Sequence, residues 1–205
     1  MKKFVKVISK AVPWLMPNVD TDIITPMKRI LSSPTKLEQY AFEPYRFIGG
    51  NADTGSLDPA FPLNKPEYKD VRIMIVGENF GSGSSRETAP AAIAKLGISV
   101  LIGSSFGGIF FKNCFKVGLL AISLDKEKVE KLAALAEAGS SFTVDLAGQS
   151  ITAPDGIKFP FEIEPLRKTA LLEGLDDVDM TLKQKSAINA WRQKDKTIRP
   201  WIYTL

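Results

Sequence analysis

The sequence predicts an α/β fold in which a parallel βαβ core carries a small β-meander, and three observations predict it. First, residues 71–76 (VRIMIV) form an apolar run that empties into a glycine loop, GENFGSGSSRE, and then into TAPAAIAKL, where Ala92, Ile93 and Leu96 share one helical face. Second, the pattern repeats: residues 98–102 (ISVLI) read as a strand, 106–116 as a mostly buried helix and 119–122 as a third strand. Parallel strands joined by helical crossovers follow, with right-handed connections. Third, FTVDL, SITA and KFPFEI after residue 141 are short strand-like pieces separated by Ala-Gly-Gln and Pro-Asp-Gly turns.

The remaining elements fill in around this core. Residues 4–8 make a first strand with partial alternation. Residues 11–26 hold three prolines and leave no room for a helix; Asn18, Asp20, Thr21 and Asp22 cluster there, either closing local turns through their own backbone or lining a pocket. A short helix is expected over 35–42. Residues 43–70, punctuated by prolines and glycines, read as a long loop of the kind that serves as a lid, a binding loop or an insertion. Asp125 is placed to cap an amphipathic helix with Val129, Leu132, Ala133 and Ala136 on one face, ended by Gly139. Residues 165–194 return to helix, with Thr181 and Gln184 spaced as a capping box ahead of Ala187, Ile188 and Trp191. The whole chain, 1–205, reads as one domain, with 182–205 as a C-terminal helix and an aromatic tail that packs on the chain itself or on a partner.

Composition excludes more than it asserts. A hydrophobic share of 44% and a charged share of 24% are ordinary for a globular chain, and the +4 charge is spread out, which argues against nucleic acid. No apolar run nears the ~18 residues of a membrane span, and MKKFVKVISK lacks the apolar core of a signal peptide, so a cytoplasmic location is expected. There is no histidine, which removes Ser-His-Asp and Cys-His catalysis and His-ligated metals. The one cysteine, Cys114, makes no intrachain disulfide and cannot alone hold an iron–sulfur cluster, so no metal is expected on this chain.

The glycine loop carries the chemistry. Ser84 and Glu87 match a capping box, but a helix starting there would place Pro90 six positions in, at a cost of about 3 kcal/mol. A start at Thr88 removes that cost and leaves 81–87 as open loop. The third glycine of a dinucleotide fingerprint is missing, and no Gly-Lys-Ser/Thr follows, so neither cofactor motif applies. What remains is a carboxylate-binding nest: the Arg86 guanidinium matches a carboxylate as a fork, loop amides add donors, and Ser84 and Ser85 sit between them. A serine in such positive potential can take a proton from a carbon beside a carboxylate; a plain anion-binding loop is the alternative.

Five stretches occur in order: Asn-Val-Asp-Thr-Asp at 18–22, Glu-Asn-Phe-Gly-Ser-Gly-Ser-Ser-Arg-Glu at 78–87, Ile-Phe-Phe-Lys-Asn at 109–113, Gly-Leu-Leu at 118–120 and Gly-Leu-Asp-Asp at 174–177. Together they resemble the small subunits of 3-isopropylmalate dehydratase, the isomerase of leucine biosynthesis, over most of the chain. The resemblance implies the swivelling β/β/α domain of the aconitase type and a large-subunit partner bearing a 4Fe–4S cluster. It implies a hydro-lyase that interconverts 2- and 3-isopropylmalate through isopropylmaleate. By position it makes Ser84 the general base and Arg86 the carboxylate clamp, with Ser85 and Gly83 assisting and Thr21 and Asp22 near the substrate. Two departures stand out. Thr88 replaces the histidine usual after Ser-Arg-Glu, and residues 14–17 lack an arginine common before Asn-Val-Asp-Thr-Asp, for which Lys28 or Arg29 is the expected stand-in. A related hydro-lyase acting on another 2-hydroxy di- or tricarboxylate, or a stand-alone anion-binding module, are the competing readings.

Overall fold

The computed structural model describes residues 1–33, 35–83 and 87–203. One seven-stranded sheet organises it: β1 Lys6–Trp14, β2 Ile73–Val76, β3 Val100–Gly103, β4 Leu120–Ser123, β5 Ser141–Asp145, β6 Ser150–Thr152 and β7 Lys158–Pro160, in the order β4-β3-β2-β1-β5-β6-β7. The first four strands are parallel and the last three join antiparallel, so the parallel core and the meander are two halves of one sheet.

β1 is the strand the halves share, and it runs further than the alternation of residues 4–8 suggests. Its residues 6–10 pair with β5 and its residues 11–14 pair with β2. Where it pairs with β2, no strand among the described residues flanks its other side, and a proline is tolerated on such a half-edge. That is why Pro13 does not end the strand. At the change of partner, Ser9 Oγ accepts from the Arg72 N–H at 2.9 Å and donates to the Lys10 carbonyl at 2.7 Å, supplying side-chain bonds where the ladder switches.

The helices follow the crossover pattern. α1 Thr21–Ile24, α2 Met27–Ser32 and α3 Glu43–Arg46 precede β2, and three short 3₁₀ turns complete residues 48–68. The expected helix over 35–42 is a series of turns, and 11–26 does contain one helical turn, capped by Asp20 through an N–H bond from Ile23 at 2.8 Å. Then come α4 Thr88–Lys95, α5 Gly108–Lys116, α6 Lys126–Glu137, α7 Pro165–Glu173, α8 Asp177–Leu182 and α9 Lys185–Ile198. α4 starts where the proline argument puts it. Pro90 is the third helical residue, one place later than expected, and its missing N–H still falls among the first-turn donors that lack intrahelical partners.

Strands β2 and β3 are buried throughout, as a parallel sheet covered on both faces requires. α6 lies across β1, β2 and β3, burying Val129, Leu132, Ala133 and Ala136 as its periodicity predicts. Asp125 does precede it, but its carboxylate pairs with Lys128 at 2.6 Å and makes no bond to a helix amide. At the C-terminal end the capping box is Asp176 with Asp179; Thr181 sits inside α8 and bonds the Asp177 carbonyl. No helix among the described residues is long and apolar enough to cross a membrane.

Candidate active site at the carboxyl ends of the parallel strands

Three loops leave the carboxyl ends of adjacent parallel strands, the place where open α/β sheets bind ligands. Residues 15–20 follow β1, the glycine loop follows β2 and residues 104–107 follow β3. The sheet pattern carries on into all three, with parallel bridges Asp20–Ser82 and Phe80–Phe106 beyond the strand ends.

Main-chain bonds fix the glycine loop from both sides. Towards β1, the Asn18 N–H donates to the Glu78 carbonyl at 2.9 Å, Gly81 to Val19 at 2.7 Å and Thr21 to Ser82 at 3.0 Å. Towards β3, Phe80 donates to the Ser105 carbonyl at 3.2 Å and Gly107 to Phe80 at 2.9 Å. Asn79 adds side-chain links, receiving Ser105 Oγ as acceptor for its N–H and donating from Nδ2 to Asn18 Oδ1, each at 2.8 Å. Asn18 and Asn79 both have positive φ, a conformation their short polar side chains tolerate.

Two glycines are obligatory here. Gly81 has φ +72, and a Cβ on it would lie 2.2 Å from the buried Phe110 ring. Gly107 would drive a Cβ to 2.3 Å from the Gly81 carbonyl oxygen. The loop therefore rests on the first turn of α5 with no room for a side chain between them. Sequence reasoning missed this third loop and treated Phe106 and Gly107 as helix; the Gly107-Gly108 pair was the signal for a close backbone approach.

The expected site residues separate as follows. Ser84, Ser85 and Arg86 lie outside the described residues. Gly83 is exposed, with φ +93, and a Cβ on it would stand 3.4 Å from Thr21 Oγ1, so these two share one spot on the rim. Asp22 is exposed in the first turn of α1 beside them. Asp20 closes the local turn, which is the backbone role open to it from the sequence. Glu78 and Glu87 flank the loop, each facing a lysine: Lys126 at 4.0 Å and Lys116 at 2.9 Å. The Glu87 carboxylate raises the Lys116 pKa above the ordinary lysine value. A groove of about 190 Å³ opens behind the loop, between Leu15, Gly77, Ser104 and the start of α6.

Arg29 is not available as a stand-in for a substrate arginine. It is buried, and its Nε and Nη2 donate to the Glu43 carboxylate, which is 1% exposed, while Nη1 reaches Asp53 at 2.6 Å. Tyr40 stacks on its other face at 4.1 Å. Hydrogen bonds from Arg29 hold the Glu43 carboxyl below its usual range, against the opposing effect of burial. Lys28 is mostly exposed, 3.8 Å from Glu43. Charges 14 and 24 residues apart give no sequence signal of meeting.

Comparison with known proteins agrees with this geometry. The aconitase C-terminal domain model matches residues 1–127, and a second model, LeuD_N, matches 130–165. The chain is 45% identical over 204 residues to the 3-isopropylmalate dehydratase small subunit of Rhodospirillum centenum, covering 98% of both chains. It is 46% identical to that of Paramagnetospirillum magneticum, covering 98% of this chain and 100% of the relative. Among solved structures, 3-isopropylmalate dehydratase of Methanocaldococcus jannaschii superposes with a TM-score of 0.64 at 26% identity, over 91% of this chain and 99% of that one. A full-length likeness at this level, on a fold whose three loops meet where the motifs fall, assigns the chain to the small subunits of 3-isopropylmalate dehydratase, hydro-lyase components of the aconitase family.

Proposed function

We propose that this chain is the small subunit of a cytoplasmic 3-isopropylmalate dehydratase that interconverts 2- and 3-isopropylmalate through isopropylmaleate in leucine biosynthesis. The observation that carries the reading is the identity of about 45% along nearly the whole length of relatives bearing that name. The braced glycine loop supports it, because main-chain bonds fix the loop up to Ser82, beside Gly83 and Thr21 on the rim.

In this reading Ser84 is the general base. It takes the proton from the carbon next to a substrate carboxylate, the C–H electron pair becomes the double bond, and the C–O bond breaks as hydroxide leaves. Arg86 grips a carboxylate as a two-pronged fork, with Ser85 and the Gly83 amide adding donors, and Thr21 and Asp22 line the rim. The leaving hydroxyl needs a Lewis acid, which a 4Fe–4S cluster on a large-subunit partner would supply. This chain's own donors do not fit such a cluster: its one cysteine, Cys114, is on the buried face of α5, and burial pushes its thiol pKa well up. Among the described residues no three His, Cys, Asp or Glu groups gather as metal ligands.

The test is reconstitution with the large subunit, following the absorbance of the unsaturated acid. Turnover of isopropylmalate supports the reading, and no turnover with any malate-type acid defeats it. Ser84→Ala should lower kcat by about 10²–10⁴-fold with little change in KM. Arg86→Lys should chiefly raise KM, because the fork is lost.

A further inference from the structure

Two of the five motif stretches, 109–113 and 174–177, have no part in the chemistry above. The first lies in α5 and the second leads into α8. Both converge on one side chain, Lys116. α5 underlies the glycine loop at its entry, where Phe110 fills the space a Gly81 side chain would need. Less than two turns further along the same helix, the Lys116 ammonium donates to Glu87 Oε1 at 2.9 Å. Glu87 is the residue at which the loop ends and α4 begins. One helix therefore meets the loop at both of its ends.

Each partner in this pair has an ordinary local task, and neither is confined to it. A polar side chain at a helix start usually bonds a first-turn amide, but Glu87 makes no such bond to α4. A lysine in a last turn usually complements the helix dipole. Lys116 is the last residue of α5, yet its ammonium is committed to a carboxylate 29 residues away in the chain. The 174–177 stretch adds a second carboxylate. Gly174 ends α7 at φ +72, where a Cβ would lie 2.7 Å from the Met1 carbonyl oxygen, and the Asp176–Asp179 capping box then starts α8. That places Asp177 with Lys116 on the wall of a groove of about 430 Å³. The hydrogen bond from Glu87 chiefly, and the charge of Asp177 in addition, raise the Lys116 pKa.

Magnitude decides what such a pair can do. Lys116 is 43% exposed and Glu87 58%, so the pair adds little to overall stability. A displacement of about 1 Å near reacting groups, in contrast, can lower a rate by about 10²-fold. Its effect should therefore appear in turnover and not in unfolding.

We propose that Lys116 is a positioning residue for the reaction, fixing through its ion pair with Glu87 the point where the glycine loop passes into α4. The inference rests on the two-chain reading above, in which the residues just before Glu87 in the chain act on the substrate.

The experiment measures kcat and KM for isopropylmalate in the pair reconstituted with the large subunit. It compares wild type, Lys116→Met, Lys116→Arg, Glu87→Gln and the Lys116→Met/Glu87→Gln double variant, with thermal unfolding and amide exchange of each free chain. Lys116→Met should lower kcat about tenfold with the unfolding midpoint nearly in place. Lys116→Arg should keep most of the activity, because it still reaches the carboxylate. The double variant should be no slower than Lys116→Met alone, since both changes remove one contact. Lys112→Met is the control: Lys112 is exposed one turn earlier, makes no ion pair among the described residues, and should leave kcat at the wild-type value. Exchange reads the anchor on this chain alone. The Ala91 N–H, which donates to the Glu87 carbonyl at 3.0 Å, should exchange faster in Lys116→Met and Glu87→Gln and unchanged in Lys112→Met. Wild-type kcat and wild-type Ala91 exchange in Lys116→Met overturn the proposal. So does a lowered midpoint with unchanged kcat, the mark of a dipole partner only, or a loss of kcat that Lys112→Met shares. A wild-type pair without turnover defeats the two-chain reading instead, and Ala91 exchange still decides whether Lys116 anchors Glu87.

Discussion

Residues 77–83 and residues 40–55 both border the region around Thr21, yet they are held by different physics. The first segment is fastened by backbone: five main-chain bonds to its two neighbours, and glycines that let it lie against Phe110 and the 104–107 loop. The second is fastened chiefly by side chains. Glu43 and Asp53 grip the buried Arg29, and Phe42 stacks edge-on to Trp14 at 5.3 Å with Phe61 close by at 5.7 Å. Its one main-chain tie to α1 is the Phe42 N–H to the Ile24 carbonyl at 3.0 Å. Main-chain bracing defines atoms closely and tolerates almost no substitution where chains touch. Side-chain bracing can be exchanged as a unit but fails when half of it is removed.

The largest stability effect is expected from breaking the side-chain brace. Glu43→Gln removes the buried charge partner of Arg29 and leaves it only the half-exposed Asp53, which should cost about 3 kcal/mol in urea unfolding, the low end for a broken buried pair. The double change Arg29→Met with Glu43→Leu should recover most of that loss, since an apolar pair carries no desolvation cost. Equal losses in the single and double variants would mean that the cost does not come from an unpaired buried charge, and no loss in either would mean that the aromatic contacts alone hold the segment. The same pair sets a pH dependence. Arg29 holds the Glu43 carboxyl below its ordinary value of 4.5, so the pair's contribution is complete above about pH 4.5 and declines as pH falls through the lowered value. Acid titration of stability should therefore be shallower below pH 4.5 in Glu43→Gln than in wild type.

Next in size is the main-chain brace. Gly81→Ala asks a non-glycine residue to hold φ +72 while its Cβ enters the Phe110 ring, and together these should cost about 2–4 kcal/mol. Because the strain falls inside the loop, activity of the reconstituted enzyme should drop more than stability. Phe110→Ala in the same chain relieves the clash but not the φ strain, so it should restore the loop's placement only in part. A Gly81→Ala chain of wild-type activity would show that the loop is not held by this contact.

What could be read from the residues and what could not divides along the same line. The parallel core, the meander, the start of α4 near Thr88 and the buried face of α6 were legible because each is a local pattern: period, turn residue or proline geometry. The reach of β1 through Pro13 was not, since it depends on which neighbour flanks which half of the strand. The α2–α3 charge cluster was illegible because its members are far apart in sequence. Gly-rich spacing marked the glycine loop as a site, but not the 104–107 loop that supports it, because the Phe106–Gly107 stretch also suits the start of a buried helix. The packing of the last helix was left open by the residues, and in the structure Trp191 and Ile198 are exposed and do not meet this chain's core.

The smallest effect separates two roles for Asp20. The residue sits in the motif at 18–22 beside Thr21, where a carboxylate invites a catalytic assignment, yet its oxygen accepts from the Ile23 N–H and its backbone bridges to Ser82. If closing that turn is its whole task, Asp20→Asn keeps an acceptor at the cap and should change stability by only a few tenths of a kcal/mol, while Asp20→Ala should cost about 1 kcal/mol. Activity should follow stability, with both variants near wild type in kcat and the Ala variant raising KM modestly as Thr21 shifts against Gly83. A charge used in the chemistry gives the opposite ranking. Asn would then be as damaging as Ala to kcat while leaving the unfolding midpoint in place, because an amide caps the turn but cannot hold a proton or a negative charge.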